Sequence, residues 1–277
     1  MTLDVNSYKD FALSVMAAAQ KAGAAIMDIY GPGMSVRYKA DASPVTDADH
    51  ASEDILLAEL GRLLPSVPVI SEEQAAANNL PETGSTYFVV DPLDGTKEFL
   101  KLNGEFSINV GLVSGRKAIF GLVFGPAKAD CFITLGPSQA FRCALHPAHD
   151  PDPRQNFDFV ALNGEAAGRD FTAIVSRSHL RPETVAFLEA QGNPGKLTMG
   201  SALKFGMLAA GAADVYPRHG PTNEWDTAAG QAILEAAGGT VLTLDGEPLL
   251  YGKEDRSFGN PSFIAWRRRP EALSKHP

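Results

Sequence analysis

The sequence predicts a mixed α/β fold of layered sheets and helices. Three observations carry this reading. Two helical stretches open the chain, a run of short apolar strands follows at hairpin-like spacing, and the second half alternates strand with helix. Alternation of that kind stacks sheets and helices in layers around shared cores.

The elements follow in order. Residues 7–30 read as an amphipathic helix, because Phe11, Val15, Ala22, Ile26 and Ile29 recur at helical spacing. Ser7 with Asp10 resembles a capping box, and Gly31-Pro32-Gly33 stops the helix. Residues 36–45 read as irregular. A second helix is expected from Thr46 to Leu64, with Asp47 and Asp49 in a first turn whose dipole favours acids. Strands are expected at Val67–Ile70, Tyr87–Val90, Ser107–Val113, Ala118–Phe124 and Asp130–Leu135. Residues 144–170, rich in Pro, His, Asp, Asn and Gly, read as a linker or long loop. Beyond them come a strand at Phe171–Val175, a helix at Pro182–Gln191 and a short strand at Leu197–Met199. A helix at Ser201–Ala210, a strand at Asp214–Tyr216 and a helix at Asp226–Ala237 with Gly238-Gly239 as its stop come next. Strands at Thr240–Leu244 and Ser262–Trp266 finish the chain.

A length of 277 residues suffices for one large domain or two lobes sharing a core. The expected division of this single catalytic unit is an N-terminal α+β lobe over 1–155 and a C-terminal α/β lobe over 156–277. A formal net charge of -9 argues against a nucleic-acid polymer as partner and against a polybasic membrane anchor. It leaves a phosphorylated small molecule open, since a bound cation supplies the positive field. The only two cysteines, Cys131 and Cys143, make neither a disulfide framework nor a zinc site and read as free thiols in a reducing cytosol. No signal peptide and no membrane-length apolar run is read, so the expected location is cytoplasmic, with nothing in the sequence that demands peripheral association with the inner membrane.

Three acidic clusters share a placement at the ends of elements. Glu72 and Glu73 follow one strand, Asp91 and Asp94 follow another, and Asp226 opens a helix. Singly, each has an ordinary explanation: a solvated turn, a strand-end cap, an N-cap, and for Asp49 a helix-dipole partner. The string Asp91-Pro92-Leu93-Asp94-Gly95-Thr96 is poorly explained as a plain turn, because two acids and a glycine come directly after the apolar run Phe88-Val89-Val90. If Glu72, Asp91, Asp94 and Asp226 converge, their charges require either protonation or divalent metal, and oxygen donors of this kind suit Mg²⁺ or Mn²⁺ rather than zinc. The Leu93 carbonyl is a further oxygen, Gly95 lets a tetrahedral anion approach the backbone, and Thr96 offers a hydroxyl to orient water. Together these describe phosphate-ester hydrolysis. Phosphatases of the haloacid-dehalogenase type also end a strand in aspartates, but place them two apart; here the spacing is three, which ranks that reading lower.

Ile70-Ser71-Glu72-Glu73, the 91–96 string and Trp225-Asp226-Thr227-Ala228-Ala229-Gly230 resemble the three motifs of the inositol monophosphatase-like, lithium-sensitive Mg²⁺ phosphatases, and residues 41–49 resemble their N-terminal segment. Lys97-Glu98-Phe99 and the run 200–230 look like the bacterial CysQ type, the 3′(2′),5′-bisphosphate nucleotidases. The resemblance implies a layered α/β/α/β/α sandwich of the inositol monophosphatase/fructose-1,6-bisphosphatase type with a cleft between two lobes. It implies hydrolysis of the 3′-phosphate of 3′-phosphoadenosine 5′-phosphate, or of its phosphosulfate analogue, by direct attack of metal-activated water. Implied metal ligands for two or three Mg²⁺ ions, with Mn²⁺ as the alternative, are Glu72, Asp91, the Leu93 carbonyl, Asp94 and Asp226. Asp49, Thr96 and Glu72 are the implied catalytic residues, Asp49 pairing with Thr96. Glu72, Leu93, Asp94, Gly95, Thr96, Ser201, Lys204 and Asp226 are the implied substrate contacts.

Lys97, Arg177, Lys204, Arg218 and His219 are the candidates for holding a second phosphate. The expected partner is a phosphorylated nucleotide, with no integral membrane segment, and a homodimer is compatible with the pattern. Two rival readings stand beside this one: an inositol or sugar-phosphate phosphatase of the same fold, and a non-catalytic nucleotide- or cation-binding protein.

Overall fold

A computed structural model describes residues 5–38, 44–152, 155–165 and 170–268. Residues 41–43 of the N-terminal motif segment and parts of the 144–170 stretch lie outside the described residues.

Helices α1 (Val5–Ile29) and α2 (Asp47–Leu63) bracket a two-stranded antiparallel pair, β1 (Val36–Tyr38) and β2 (Pro44–Thr46). Next come β3 (Val69–Ser71), α3 (Glu72–Ala76), β4 (Thr86–Asp94) and α4 (Thr96–Leu100). An antiparallel run follows: β5 (Ser107–Ser114), β6 (Lys117–Gly125), β7 (Asp130–Gly136), β8 (Gln139–Ala144) and β9 (Val160–Leu162). The second half contributes β10 (Thr172–Ser176), α5 (Pro182–Ala190), β11 (Gly195–Met199), α6 (Leu203–Ala209) and β12 (Val215–Arg218). It ends with α7 (Glu224–Ala236), β13 (Thr240–Thr243) and β14 (Phe263–Trp266).

Strands β3 to β9 form one sheet of seven in sequence order, and β11-β10-β12-β14-β13 form a second sheet of five. Period-two alternation sorts their side chains into layers. Phe88 and Val90 of β4 join the core built with α1 and α2, while Tyr87 and Val89 on the opposite face pack with Trp225 and Ala228 of α7. In the smaller sheet Ile174 faces the core shared with α6 and α7, and its neighbours Ala173 and Val175 face Leu188 of α5. The result is the α/β/α/β/α order implied by the resemblance. Helix α7 lies against the large sheet so closely that a Cβ at Gly121 would sit 2.1 Å from the Ala229 carbonyl oxygen, so only glycine fits there.

Several local expectations change. Ser7 and Asp10 lie inside α1, so they do not cap it. The stretch 36–45 holds β1 and the start of β2 because Val36 pairs with Thr46 and Arg37 with Val45. Strands β8 and β9 were not expected; β9 falls in the polar 144–170 stretch, where it adds to the edge of the seven-stranded sheet by backbone bonding that polar composition hides. Strand β4 continues through the acids to Asp94 instead of stopping at Val90. Helix α6 starts two residues later than expected and α7 two residues earlier.

Candidate active site

The capping of helices α2, α3 and α7 places three of the acidic residues. Thr46 caps α2 in a reciprocal box, with its backbone N–H and hydroxyl both donating to Asp49 Oδ2 at 2.7 Å. Ser71 caps α3, receiving the Gln74 N–H at 3.3 Å and donating its own hydroxyl to the buried Glu53 carboxylate. That fixes Glu72 as the first residue of the helix. Asn223 caps α7, and Asp226 returns the bond by accepting the Asn223 N–H at 2.6 Å.

Asp91 and Asp94 are placed by an irregularity in the β4–β5 ladder. Asp91 pairs with Asn109 and Asp94 with Ser107, so three steps on β4 match two on β5. The bulge is pinned from both sides: the Leu93 N–H donates to Asp91 Oδ1 at 3.1 Å, and Ser52 of α2 donates to the Pro92 carbonyl at 2.7 Å. Gly95 then turns the chain with φ 95°, a left-handed value that suits glycine; a Cβ there would also meet the Glu105 carbonyl oxygen at 3.0 Å.

These pieces open on one cleft of about 300 Å³. Glu72, Asp91, Leu93, Asp94, Gly95, Thr96, Ser201, Lys204 and Asp226 all line it. Glu72, Asp91 and Asp226 each bring one carboxylate oxygen within 4.8 Å of the others, a spacing at which a cation can be shared. Asp94 accepts the Ala202 N–H from the far side of the cleft and the Asn109 side-chain amide at 3.3 Å. Thr96 Oγ1 donates to the Leu93 carbonyl at 3.4 Å. Asp49 does not line the cleft; it lies in the first turn of α2, held by Thr46 of β2, the strand that packs beside α4.

Burial, joined at Asp226 by the crowding of like charge, shows in the titration of these groups. Burial, then Asp94 and Glu72, push Asp226 up to about 7. Burial also raises Asp94, against the pull of Lys204 and its hydrogen bonds to Asn109 and Ala202. Lys204 is held down to about 8, by burial first and by Arg218, while Asp94 opposes the shift. Its ammonium donates to the Ser201 carbonyl and lies 5.3 Å from the centre of the Tyr216 ring.

Of the five basic candidates, Lys97, Lys204 and Arg218 line the cleft. Arg177 is instead engaged by Glu105 through two hydrogen bonds, at 2.6 and 2.8 Å. The His219 ring partners Thr184 Oγ1 at 3.0 Å, on the α5 side. The sequence reading missed His179. This residue lines the cleft with Nε2 3.1 Å from Lys97 Nζ, and burial with the nearby Arg218 and Lys97 charges lowers it to about 4. Its signal was available: Ser176-Arg177-Ser178-His179 follows a strand, as the acidic clusters do.

The profile of the inositol monophosphatase family matches residues 8–273. A 3′(2′),5′-bisphosphate nucleotidase CysQ of Shigella flexneri is 39% identical over 248 residues, 88% of this chain and 95% of that protein. The protein of the same name from Escherichia coli (strain K12) is 39% identical over 247 residues, with the same coverage. Among solved structures, CysQ from Bacteroides thetaiotaomicron, described as a bacterial member of the inositol monophosphatase family, superposes with a TM-score of 0.80 at 36% identity, covering 95% of this chain and 98% of that one. Among the described residues, no helix is long and apolar enough to cross a membrane.

Proposed function

The chain belongs to the inositol monophosphatase family, and from that membership we propose that it removes the 3′-phosphate of 3′-phosphoadenosine 5′-phosphate, yielding AMP and phosphate, and acts likewise on the phosphosulfate analogue. The observation that carries this reading is the make-up of the cleft: a tight acidic cluster shares it with Lys97, Lys204 and Arg218, so that a second phosphate finds cations of its own. A second phosphate gives these cations a partner that a monophosphate substrate lacks. Relatives at 39% identity that bear the name of bisphosphate nucleotidases support the same class.

The donor set fits a hard divalent cation. Glu72, Asp91 and Asp226 present only carboxylate oxygens, and the burial and like-charge repulsion that together hold Asp226 near 7 are offset by positive charge placed among them. Mg²⁺, in two or three ions and replaceable by Mn²⁺, would be held by Glu72, Asp91, the Leu93 carbonyl, Asp94 and Asp226. When bound it supplies Lewis-acid polarisation of the phosphoryl group and lowers the pKa of the attacking water.

The protein's own groups do the rest. Gly95 and Thr96 hold the scissile phosphate, Gly95 leaving the backbone uncovered at that point. In this reading Thr96 Oγ1, paired with Asp49, accepts a hydrogen bond from the water and orients it; the proton the water releases passes through Thr96 to the Asp49 carboxylate, and Glu72 assists. Ser201 and Lys204 bind the substrate from the opposite wall. Water attacks phosphorus as the 3′ oxygen leaves and takes up a proton, and no phospho-enzyme forms. His179, neutral at pH 7, supplies hydrogen bonding but no charge.

The test is phosphate release with Mg²⁺ from 3′-phosphoadenosine 5′-phosphate, myo-inositol 1-phosphate and fructose 1,6-bisphosphate. The expected result is a preference for the nucleotide of about a hundredfold in kcat/KM, roughly 2.7 kcal/mol of discrimination. A preference for the inositol or sugar phosphate overturns the substrate while leaving the fold in place.

A further inference from the structure

We infer that Glu105 is a positioning residue that sets the substrate wall of the cleft by locking the Gly200-Ser201 turn of one half of the molecule onto the Gly95 turn of the other. This rests on the proposed reading in one respect, that Ser201 and Lys204 bind substrate.

Glu105 lies between α4 and β5, is buried, and does not line the cleft. Its side-chain hydrogen bonds go to the 176–204 segment. Oε2 accepts the Gly200 N–H at 2.9 Å and Arg177 Nε at 2.6 Å, while Oε1 accepts Arg177 Nη2 at 2.8 Å. Lys128 Nζ stands 3.9 Å from Oε1. Arg177 closes the loop by donating to the Thr198 carbonyl at 2.9 Å, so one guanidinium ties the carboxylate to strand β11.

The main chain of the same residue performs a second job. A Cβ at Gly95 would lie 3.0 Å from the Glu105 carbonyl oxygen, and a Cβ at Gly200 would lie 2.5 Å from it. Two turns from opposite halves of the molecule therefore pack on one carbonyl group, and glycine permits both approaches.

Between them sits Ser201, whose φ of 50° is a left-handed value that costs free energy for a residue with a side chain. Such a conformation persists only where its neighbours are fixed. Here both are: the preceding N–H, from Gly200, goes to Glu105, and the following N–H, from Ala202, goes to Asp94. The Ser201 carbonyl in turn receives the Lys204 ammonium. A chain of direct contacts thus runs from Glu105 through Gly200 and Ser201 to the cation in the wall. Loss of the Glu105 charge breaks the charge-assisted pair with Arg177 and weakens the hold on one end of the strained turn, so the Lys204 ammonium is less firmly placed.

The experiment compares Glu105→Gln and Arg177→Met with the wild type, using the nucleotide and, as a probe too small to span the cleft, p-nitrophenyl phosphate, at saturating Mg²⁺. We expect KM for the nucleotide to rise about tenfold with kcat held within about threefold, and KM for p-nitrophenyl phosphate to stay put. The double variant should be no worse than the poorer single one, because both remove the same clamp. A nucleotide KM within about twofold of wild type, or an equal loss on both substrates, overturns the inference. If Glu105→Gln does not fold, Arg177→Met carries the same comparison from the exposed side of the pair. Should the wild type prefer myo-inositol 1-phosphate, the nucleotidase reading falls, and the same KM comparison on that substrate decides the role of Glu105.

Discussion

Asp91 and Asp94 stand three residues apart in the chain and on one face of β4, because their partners Asn109 and Ser107 are two apart on β5. In a regular strand residues i and i+3 face opposite ways. One extra residue in β4 cancels the difference, and it brings Leu93 to the cleft between the two acids. A spacing of two, as in the haloacid-dehalogenase pattern, reaches the same face without an intervening residue there. The insertion therefore explains why an apolar strand continues into two carboxylates. It also makes each of them separately necessary. Asp94→Asn keeps an acceptor for the Ala202 N–H, so the fold should survive, while kcat/KM should fall by about a thousandfold or more, on the order of 4 kcal/mol in transition-state stabilisation. Steady-state kinetics beside a thermal melt checks this; a kcat like that of wild type in a folded variant would remove Asp94 from the site.

Metal and proton compete at Asp226. In the metal-free protein its carboxyl is held up to about 7, first by burial and then by Asp94 and Glu72, against an ordinary value of 3.8. Between about 4 and 7 the folded state keeps a proton that the unfolded chain has released. This group's contribution to stability therefore declines as pH rises through that window. A divalent cation reverses the penalty where the group is ionised. Mg²⁺ should raise Tm more at pH 8 than at pH 5.5, relative to EDTA. Asp226→Asn should melt at or above the metal-free wild type and lose most of its response to Mg²⁺. Paired melts in EDTA and Mg²⁺ decide it: an increment independent of pH that persists in Asp226→Asn contradicts the assignment.

How much of this was legible in the sequence depends on how local each cause is. Helix α2 and strands β5, β6 and β7 could be read because their periodicity and caps lie within their own residues. Thr46 and Asp49, for example, signal the start of α2 three residues apart. Strand β9 could not, since Val160–Leu162 gains its structure from backbone bonds to Phe141 and its neighbours across a polar stretch. Among the acids, placement at element ends was readable, but their meeting depends on two sheets and α7 closing around one space. The same holds for the cations. Sequence alone left Arg177 and Arg218 equal, and only the fold puts Glu105 against Arg177 while Arg218 lines the cleft. His179 and Glu105 went unread because each gains its setting from residues about 80 to 95 positions away, Lys97 lying 82 from His179 and Gly200 lying 95 from Glu105.

Lys204 carries its own pH signature. Burial, helped by Arg218 and opposed by Asp94, lowers its ammonium to about 8. Above that pH the free enzyme increasingly presents a neutral amine to the substrate. Thus kcat/KM for the nucleotide should be level from pH 6.5 to 7.5 and fall toward tenfold per unit above about 8, mainly through KM. Lys204→Met should show a raised KM at every pH and no inflection near 8. A pH profile of kcat/KM for both proteins tests this. If the inflection survives in Lys204→Met, the titration belongs to another group.

The start of α7 depends on a buried ion pair. Glu224 is fully buried and accepts the Tyr87 hydroxyl at 2.8 Å and the Lys253 N–H at 2.9 Å; the Lys253 ammonium lies 2.9 Å from the same carboxylate. Burial, then the Glu224 charge, pushes the Tyr87 hydroxyl far up, so it remains a donor throughout the working range. Removing the carboxylate leaves the largely buried Lys253 ammonium uncompensated and a tyrosine hydroxyl without its acceptor. The cost of breaking such a pair is about 3–5 kcal/mol, whereas losing a single neutral donor costs about 1 kcal/mol. Glu224→Ala should therefore destabilise the protein by roughly 3 kcal/mol or more, and Tyr87→Phe by roughly 1 kcal/mol. Activity should fall along with stability in Glu224→Ala, because Asp226 sits two residues further along the helix that Glu224 anchors. Urea unfolding of the two variants separates the terms. Equal, small losses in both would mean that Lys253 finds water when its partner is gone and that the pair does not anchor the helix.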